Sequence, residues 1–156
     1  MKINFLSTIF LMLFLLGCSD DEINPKVLTE SQWQRVIEIQ SANPAYEVVY
    51  SIEFEQDGRV SSEVVFRNLE TKDILGFQEY FTGSYQIIDK KIEVSILERF
   101  VNEEGDELYL PKDELTLLQG MVQSREFELR NNNTELHTIM PLVASSPGII
   151  YQRVSK

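Results

Sequence analysis

The sequence predicts an all-β domain of antiparallel strands, and three observations predict it. Apolar residues recur at every second position in run after run. The clearest case is Tyr46, Val48, Tyr50, Ile52 and Phe54, which alternate with Glu47, Val49, Ser51, Glu53 and Glu55. Successive strand side chains point to opposite faces, so such a run is apolar on one face and mostly polar on the other. Short turn signals separate the runs: Asp57 with Gly58, residues 68–73, residues 89–91, and Asn131, Asn132 and Asn133. Finally, the runs number about eight, with little room left for helix. Antiparallel strands that are each apolar on one face bury those faces together, in a closed up-and-down barrel or a two-sheet sandwich.

The chain opens with a segment that does not belong to that domain. Lys2 supplies a positive start, residues 3–16 are almost wholly apolar, and Gly17 is small. This is the layout of a secretory signal peptide, and the apolar run is short for a spanning helix. Leu15, Leu16, Gly17 and Cys18 resemble the lipobox of bacterial lipoproteins. The resemblance implies that the Cys18 thiol takes a diacylglyceryl group, that residues 1–17 are removed, and that the new amine is acylated, as with palmitate. Two or more fatty chains make such anchoring stable. Asp20, Asp21 and Glu22 resemble the acidic export signal of bacteroidete-type lipoproteins, and Ser19 suits outer-membrane sorting. The expected location is therefore the outer membrane, with the cell surface favoured over the periplasmic face.

Cleavage would leave 139 of the 156 residues, enough for one domain with a sizeable core. Lys2 is the only charge removed, so the formal net charge goes from −11 to −12. A domain this acidic repels nucleic acid. Cys18 is the only cysteine, so no disulfide, thiol nucleophile or cysteine metal site is expected. The expected division is signal peptide 1–17, lipidated Cys18 and flexible tether 18–30, and a β domain 31–156.

Residues 32–40 read as a first strand, with Trp33, Ile37 and Ile39 on one parity and Arg35 interrupting it; a helix is the rival reading. Residues 46–55 are the second strand. Asp57 and Gly58 turn it into a third, which carries Val60, Ser62, Val64 and Phe66 on one side. Residues 74–88 form a long strand, with Leu75, Phe77, Phe81, Tyr85 and Ile87 sharing a face and Gly83 allowing a bulge or bend. Ile92, Val94, Ile96 and Phe100 mark the next. Residues 102–107 are an acidic loop. Residues 111–120 suit two turns of helix or a strand. Residues 122–130, then Leu136, Thr138 and Met140, then residues 149–154 complete the set, with 141–148 as a breaker-rich link.

Four stretches carry a family resemblance. They are Trp33, the Phe54-to-Arg59 hairpin, the run of Gly83, Tyr85 and Ile87, and the ending Tyr151, Gln152, Arg153 and Val154. Together they look like small bacterial lipocalin-like lipoproteins, although Ser31, Gln32 and Trp33 stand where lipocalins carry Gly-x-Trp. The resemblance implies an antiparallel barrel with one open mouth and one closed base, and, loosely, a small apolar ligand. It also implies that Arg153 stacks on Trp33 to seal the base, a contact worth about 0.5–2 kcal/mol.

An eight-stranded barrel is just wide enough to be filled by side chains or to hold one small ligand. The informative residues are polar ones on inward parity: Glu79 with Phe77 and Phe81, Glu98 with Ile96 and Phe100, and Arg125 with Phe127. Buried alone, each costs several kcal/mol, so each pairs, sits at a wet mouth or is bulged outward. The candidate ligand contacts are Tyr50, Phe66, Glu79, Phe81, Tyr85, Glu98 and Arg125. His137 reads as a surface residue. No Ser-His-Asp set, zinc pattern or phosphate loop is present, so no catalysis, cofactor or metal is expected. The alternative function is an accessory protein whose barrel is filled and whose outer face or loops bind an outer-membrane partner protein or a glycan.

Overall fold

The computed structural model describes residues 23–103, 105, 107–119, 123–139 and 148–155. The signal peptide, Cys18 and the acidic run behind it lie outside the described residues, as do Met140 and residues 141–147 of the predicted link. The described chain is a closed antiparallel barrel of eight strands, so the barrel holds and the sandwich does not.

The strands follow the predicted order: β1 (Ser31–Ile39), β2 (Tyr46–Phe54), β3 (Arg59–Asn68), β4 (Ile74–Ile88) and β5 (Lys91–Val101) form a meander. A short β6 (Thr116–Leu117) precedes β7 (Gln123–Arg130), β8 (Glu135–Ile139) and β9 (Ile150–Ser155). β5 pairs with β7, and β9 returns to β1, with Trp33 opposite Arg153, to close the cylinder. β6 pairs only with Phe100 and Val101 at the top of β5, above the point where β7 takes over that edge. The ambiguous 111–120 stretch is thus part turn and part strand: a single 3-10 turn, Lys112–Glu114, and then β6.

Turn chemistry fixes the register. Gly58 has φ +86°, a conformation glycine adopts without steric cost, and its N–H donates to the Glu55 carbonyl at 3.1 Å. Asn131, Asn132 and Asn133 all take positive φ, which asparagine tolerates better than most residues.

Three bulges re-aim the longest strands. Two lie between β3 and β4, one between Val64 and Val65 and the other between Phe66 and Arg67. They leave Glu79 opposite Val64, on the inner face, while Phe77 falls opposite Val65, on the outer face. The predicted common face of Phe77 and Phe81 is therefore corrected. The third pairs Thr82 with Glu98 and Gly83 with Ile96, which expels Leu97, 74% exposed. Above it the parity of β5 is reversed. Gly83 permits this close approach, since a Cβ there would lie 2.3 Å from the Ser95 carbonyl oxygen.

The core fills the end of the barrel where β1 begins. Trp33, Phe54, Phe81, Ile92, Phe127 and Leu136 are essentially fully buried there. The expected flexible tether is in part corrected. A one-turn helix α1 (Pro25–Thr29), capped by the Asn24 side chain at 3.0 Å, lays Leu28 under the barrel. The Trp33 indole N–H donates to the Leu28 carbonyl at 3.3 Å, which ties α1 to the floor. Arg153 faces Trp33 in the register, but its exposed guanidinium donates from Nε to Ser31 Oγ at 2.7 Å. Among the described residues no ring contact joins Arg153 to the indole. The base is closed by α1 and by that hydroxyl, in place of the expected stack.

Candidate binding chamber

Moving from base to mouth, the inward positions change character. On β1 they run Trp33, Arg35, Ile37, Ile39, and on β2 Phe54, Ile52, Tyr50, Val48, Tyr46, with Arg35 paired to Tyr50. The lower set is sealed from solvent. From Arg35 and Tyr50 upward, several inward side chains on β1, β2, β3, β4, β5 and β7 keep solvent-accessible surface: Arg35, Ile37, Tyr50, Val64, Glu79, Arg99 and Arg125. The barrel is sealed in its lower half, while its upper half mixes these partly accessible groups with the buried Val48 and Phe66.

At the boundary sits a polar cluster. Glu79 accepts from Arg99 Nη2 at 2.8 Å on one carboxylate oxygen and from Arg125 Nη2 at 2.9 Å on the other. Arg99 Nη1 donates to Gln123 Oε1 at 2.7 Å. The Arg125 guanidinium lies 4.9 Å from the ring centre of Phe81, which forms a floor plate beneath it. The side chains of Glu79, Arg99 and Arg125 are 18%, 24% and 27% exposed, so the cluster is damp. Burial pushes the Glu79 carboxyl up and is the largest single influence, but the bonds and charges of Arg99 and Arg125 together outweigh it and hold it below the usual range. A carboxylate held this low is a poor proton acceptor near neutrality.

Tyr151 completes the floor. It is 2% exposed, and burial pushes its phenol up to about 12; Arg125, Glu79, Tyr50 and Arg35 all act on it electrostatically. By geometry, Arg35 stands opposite Tyr50 on the neighbouring strand, and Arg125 is bonded to Glu79. Among the described residues no side-chain hydrogen bond reaches the Tyr151 hydroxyl, the Tyr50 hydroxyl or the Arg35 guanidinium. Arg99 Nε, unlike those three groups, is buried without a hydrogen-bond partner among the described residues.

The sequence-predicted contacts divide. Tyr50, Glu79 and Arg125 come together in this cluster, and Phe81 lies beneath it. Phe66 stands higher, between Tyr46 and Tyr109, with ring centres 5.4 and 5.3 Å away. Tyr85 is at the base, edge-on to Phe54 at 5.0 Å, with its hydroxyl donating to the Glu55 carbonyl. Glu98 is exposed on the outer face, because the Leu97 bulge turns Arg99 inward in its place. The adjacent pair Ile96 and Leu97, which breaks strict alternation, is the signal that locates this bulge. Arg35, Arg99 and Tyr151 are the chamber residues absent from the sequence-based set.

Two features lie outside the barrel. On one outer face Lys112 sits 4.7 Å over Tyr80, which stacks on Phe100 at 4.6 Å. On another, a groove of about 380 Å³ runs along β7, β8 and β9 past Glu128, Arg130 and Ile150. There the predicted surface residue His137 lies 2.7 Å from Glu135. Among the described residues no helix is long and apolar enough to cross a membrane. Compared with known proteins, the chain matches no family model, no curated protein and no solved structure.

Proposed function

We propose that this is a non-catalytic binding protein of the lipocalin-like lipoprotein kind, anchored in the outer membrane through Cys18 and displayed at the cell surface. It takes one small amphipathic molecule in the upper half of its barrel. The observation that carries the reading is the divided interior. A barrel built for stability alone gains by filling its inside with apolar side chains, and partly buried ionic groups are weak stabilisers. Here the lower half follows that rule and the upper half departs from it, with ionic groups and tyrosines below an apolar wall.

The anchor agrees with this geometry. Ile23, buried at the base, follows Cys18 by five residues, which span at most about 18 Å when extended. The closed base then faces the lipid and the mouth points away from it. A filled barrel with a partner on its outer face is the weaker reading, because it calls for a packed interior and several upper inward residues, Arg35, Glu79, Arg99 and Arg125 among them, keep accessible surface.

Native mass spectrometry of the full-length protein extracted from its own membrane is the test. One small molecule bound per chain and released by organic solvent is the expected result. An empty barrel that also takes up no amphipathic probe would remove the reading. Labelled palmitate should enter the wild-type protein and not Cys18→Ala.

A further inference from the structure

The charges of the chamber do not balance. Arg35, Arg99 and Arg125 hold inward positions with one carboxylate, Glu79, which Arg99 and Arg125 share, so the inward ionic groups carry a surplus of two positive charges inside a chain whose overall charge is strongly negative. Both Glu79 oxygens are already engaged, so Glu79 does not account for Arg35. Donors are in surplus as well. Arg35 and the hydroxyls of Tyr50 and Tyr151 are unbonded among the described residues, and Arg125 gives Glu79 a single bond. Tyr151 is buried and faces inward opposite Leu136 of the core. One donor of the cluster, Arg99 Nε, is buried without a partner among the described residues, and inward donors beside surplus cations suit an acceptor that is itself negative. Above the cluster the wall turns apolar, with Ile37, Val48, Ile39 and Val101.

We infer that the chamber holds an amphipathic acid head-down, its anionic head bonded by Arg35, Arg125, Tyr50 and Tyr151 and its apolar tail toward the mouth. This rests on the reading of the barrel as a binder of amphipathic molecules and adds the charge and orientation of the ligand. Carboxylate and phosphate monoester heads share the chemistry that these donors recognise.

The test uses the full-length lipidated protein in phosphatidylcholine nanodiscs, with empty discs as background. Four probes of one chain length are titrated: octanoate, octyl phosphate, octan-1-ol and octylamine. At least one of the two anions should bind about tenfold or more tighter than octan-1-ol, and octylamine should not bind measurably. The better anion identifies the head. Arg35→Gln should lower that anion's affinity about tenfold and narrow its margin over octan-1-ol, while the thermal midpoint stays unchanged. Arg35→Lys, which keeps the charge, should retain most of the preference. Arg35 holds no ion pair among the described residues, so these variants leave the Glu79 cluster in place. If octan-1-ol binds as tightly as both anions, or Arg35→Gln leaves anion affinity unchanged, the head-down acid is overturned and the barrel remains a binder. If no probe binds, both readings fall.

Discussion

Replacing Glu79 by Gln keeps the side chain's shape and removes the one negative charge that Arg99 and Arg125 share. The two bonds, at 2.8 and 2.9 Å, lie between the limits for which magnitudes are known. Breaking a fully buried pair costs about 3–5 kcal/mol, and an exposed pair is worth about 0–1 kcal/mol. With all three side chains about a fifth to a quarter exposed, the expected loss is about 2–3 kcal/mol at pH 7, read by urea unfolding with circular dichroism. The pH dependence has a definite sign. The folded Glu79 carboxyl is held below its ordinary 4.5, so its contribution is complete above that value and drains away as the pH falls through the lower folded value. The gap between wild type and Glu79→Gln should therefore be constant from pH 7 to about 5 and narrow below 4.5. Function should move the other way, because the substitution raises the chamber's surplus from two positive charges to three. Octanoate should bind Glu79→Gln more tightly than wild type even as the fold weakens. A stability loss under about 0.5 kcal/mol, a gap that does not narrow in acid, or a fall in anion affinity would refute this account of Glu79.

Gly83→Ala should cost about 3 kcal/mol or more, because its Cβ would meet backbone atoms of Ser95 and Ile96, which cannot swing aside; the urea midpoint reads this directly. Trp33→Phe removes the bond to the Leu28 carbonyl and part of a fully buried ring, a loss of about 2 kcal/mol. Amide exchange should show α1 released from the base before the barrel opens. In an ultraviolet alkaline titration, one of the six tyrosines should keep its proton until about pH 12, and Tyr151→Phe should abolish that late step. Because the folded phenol is raised above its ordinary 10, its support for the fold is complete below pH 10 and is lost between there and about 12.

The strands were legible because parity is local: β2 and the first part of β3 needed only alternation and one Asp-Gly turn. The chamber was harder to read because parity fails at bulges. One expelled residue, Leu97, moves Glu98 outside and Arg99 inside, and the shifts between β3 and β4 do the same to Phe77. A bulge depends on pairing with the neighbouring strand, which periodicity within one strand does not contain. Arg35 is the instructive case. It stands in the sequence as an interruption of the first strand's apolar face, and in the fold that interruption faces Tyr50 in the middle of the chamber. The tether was misjudged for another reason. Asn24 and Pro25 cap a single turn, and the burial of Leu28 under the barrel, a tertiary contact, holds that turn in place.

An acidic chain is at first sight a poor host for an anion. The objection weakens once distance and medium are considered. Exposed carboxylates act through water and salt, where fields fade over about 8 Å at physiological ionic strength. Arg35 lies four residues below Ile39 at the top of β1, about 13 Å along the strand. At that depth the distant surface charges are largely damped. The inward arginines would act on a bound head at short range between protein walls, where the same charge counts for several times more. The two sets of charges thus govern different stages. The exterior lowers the rate at which an anion arrives, and the interior sets how long it stays. The exterior would also slow an anion's approach to the rest of this surface. Net charge therefore says little against an acid in this barrel and much against casual anion binding elsewhere, which gives the chamber selectivity that a neutral protein with the same three arginines would lack.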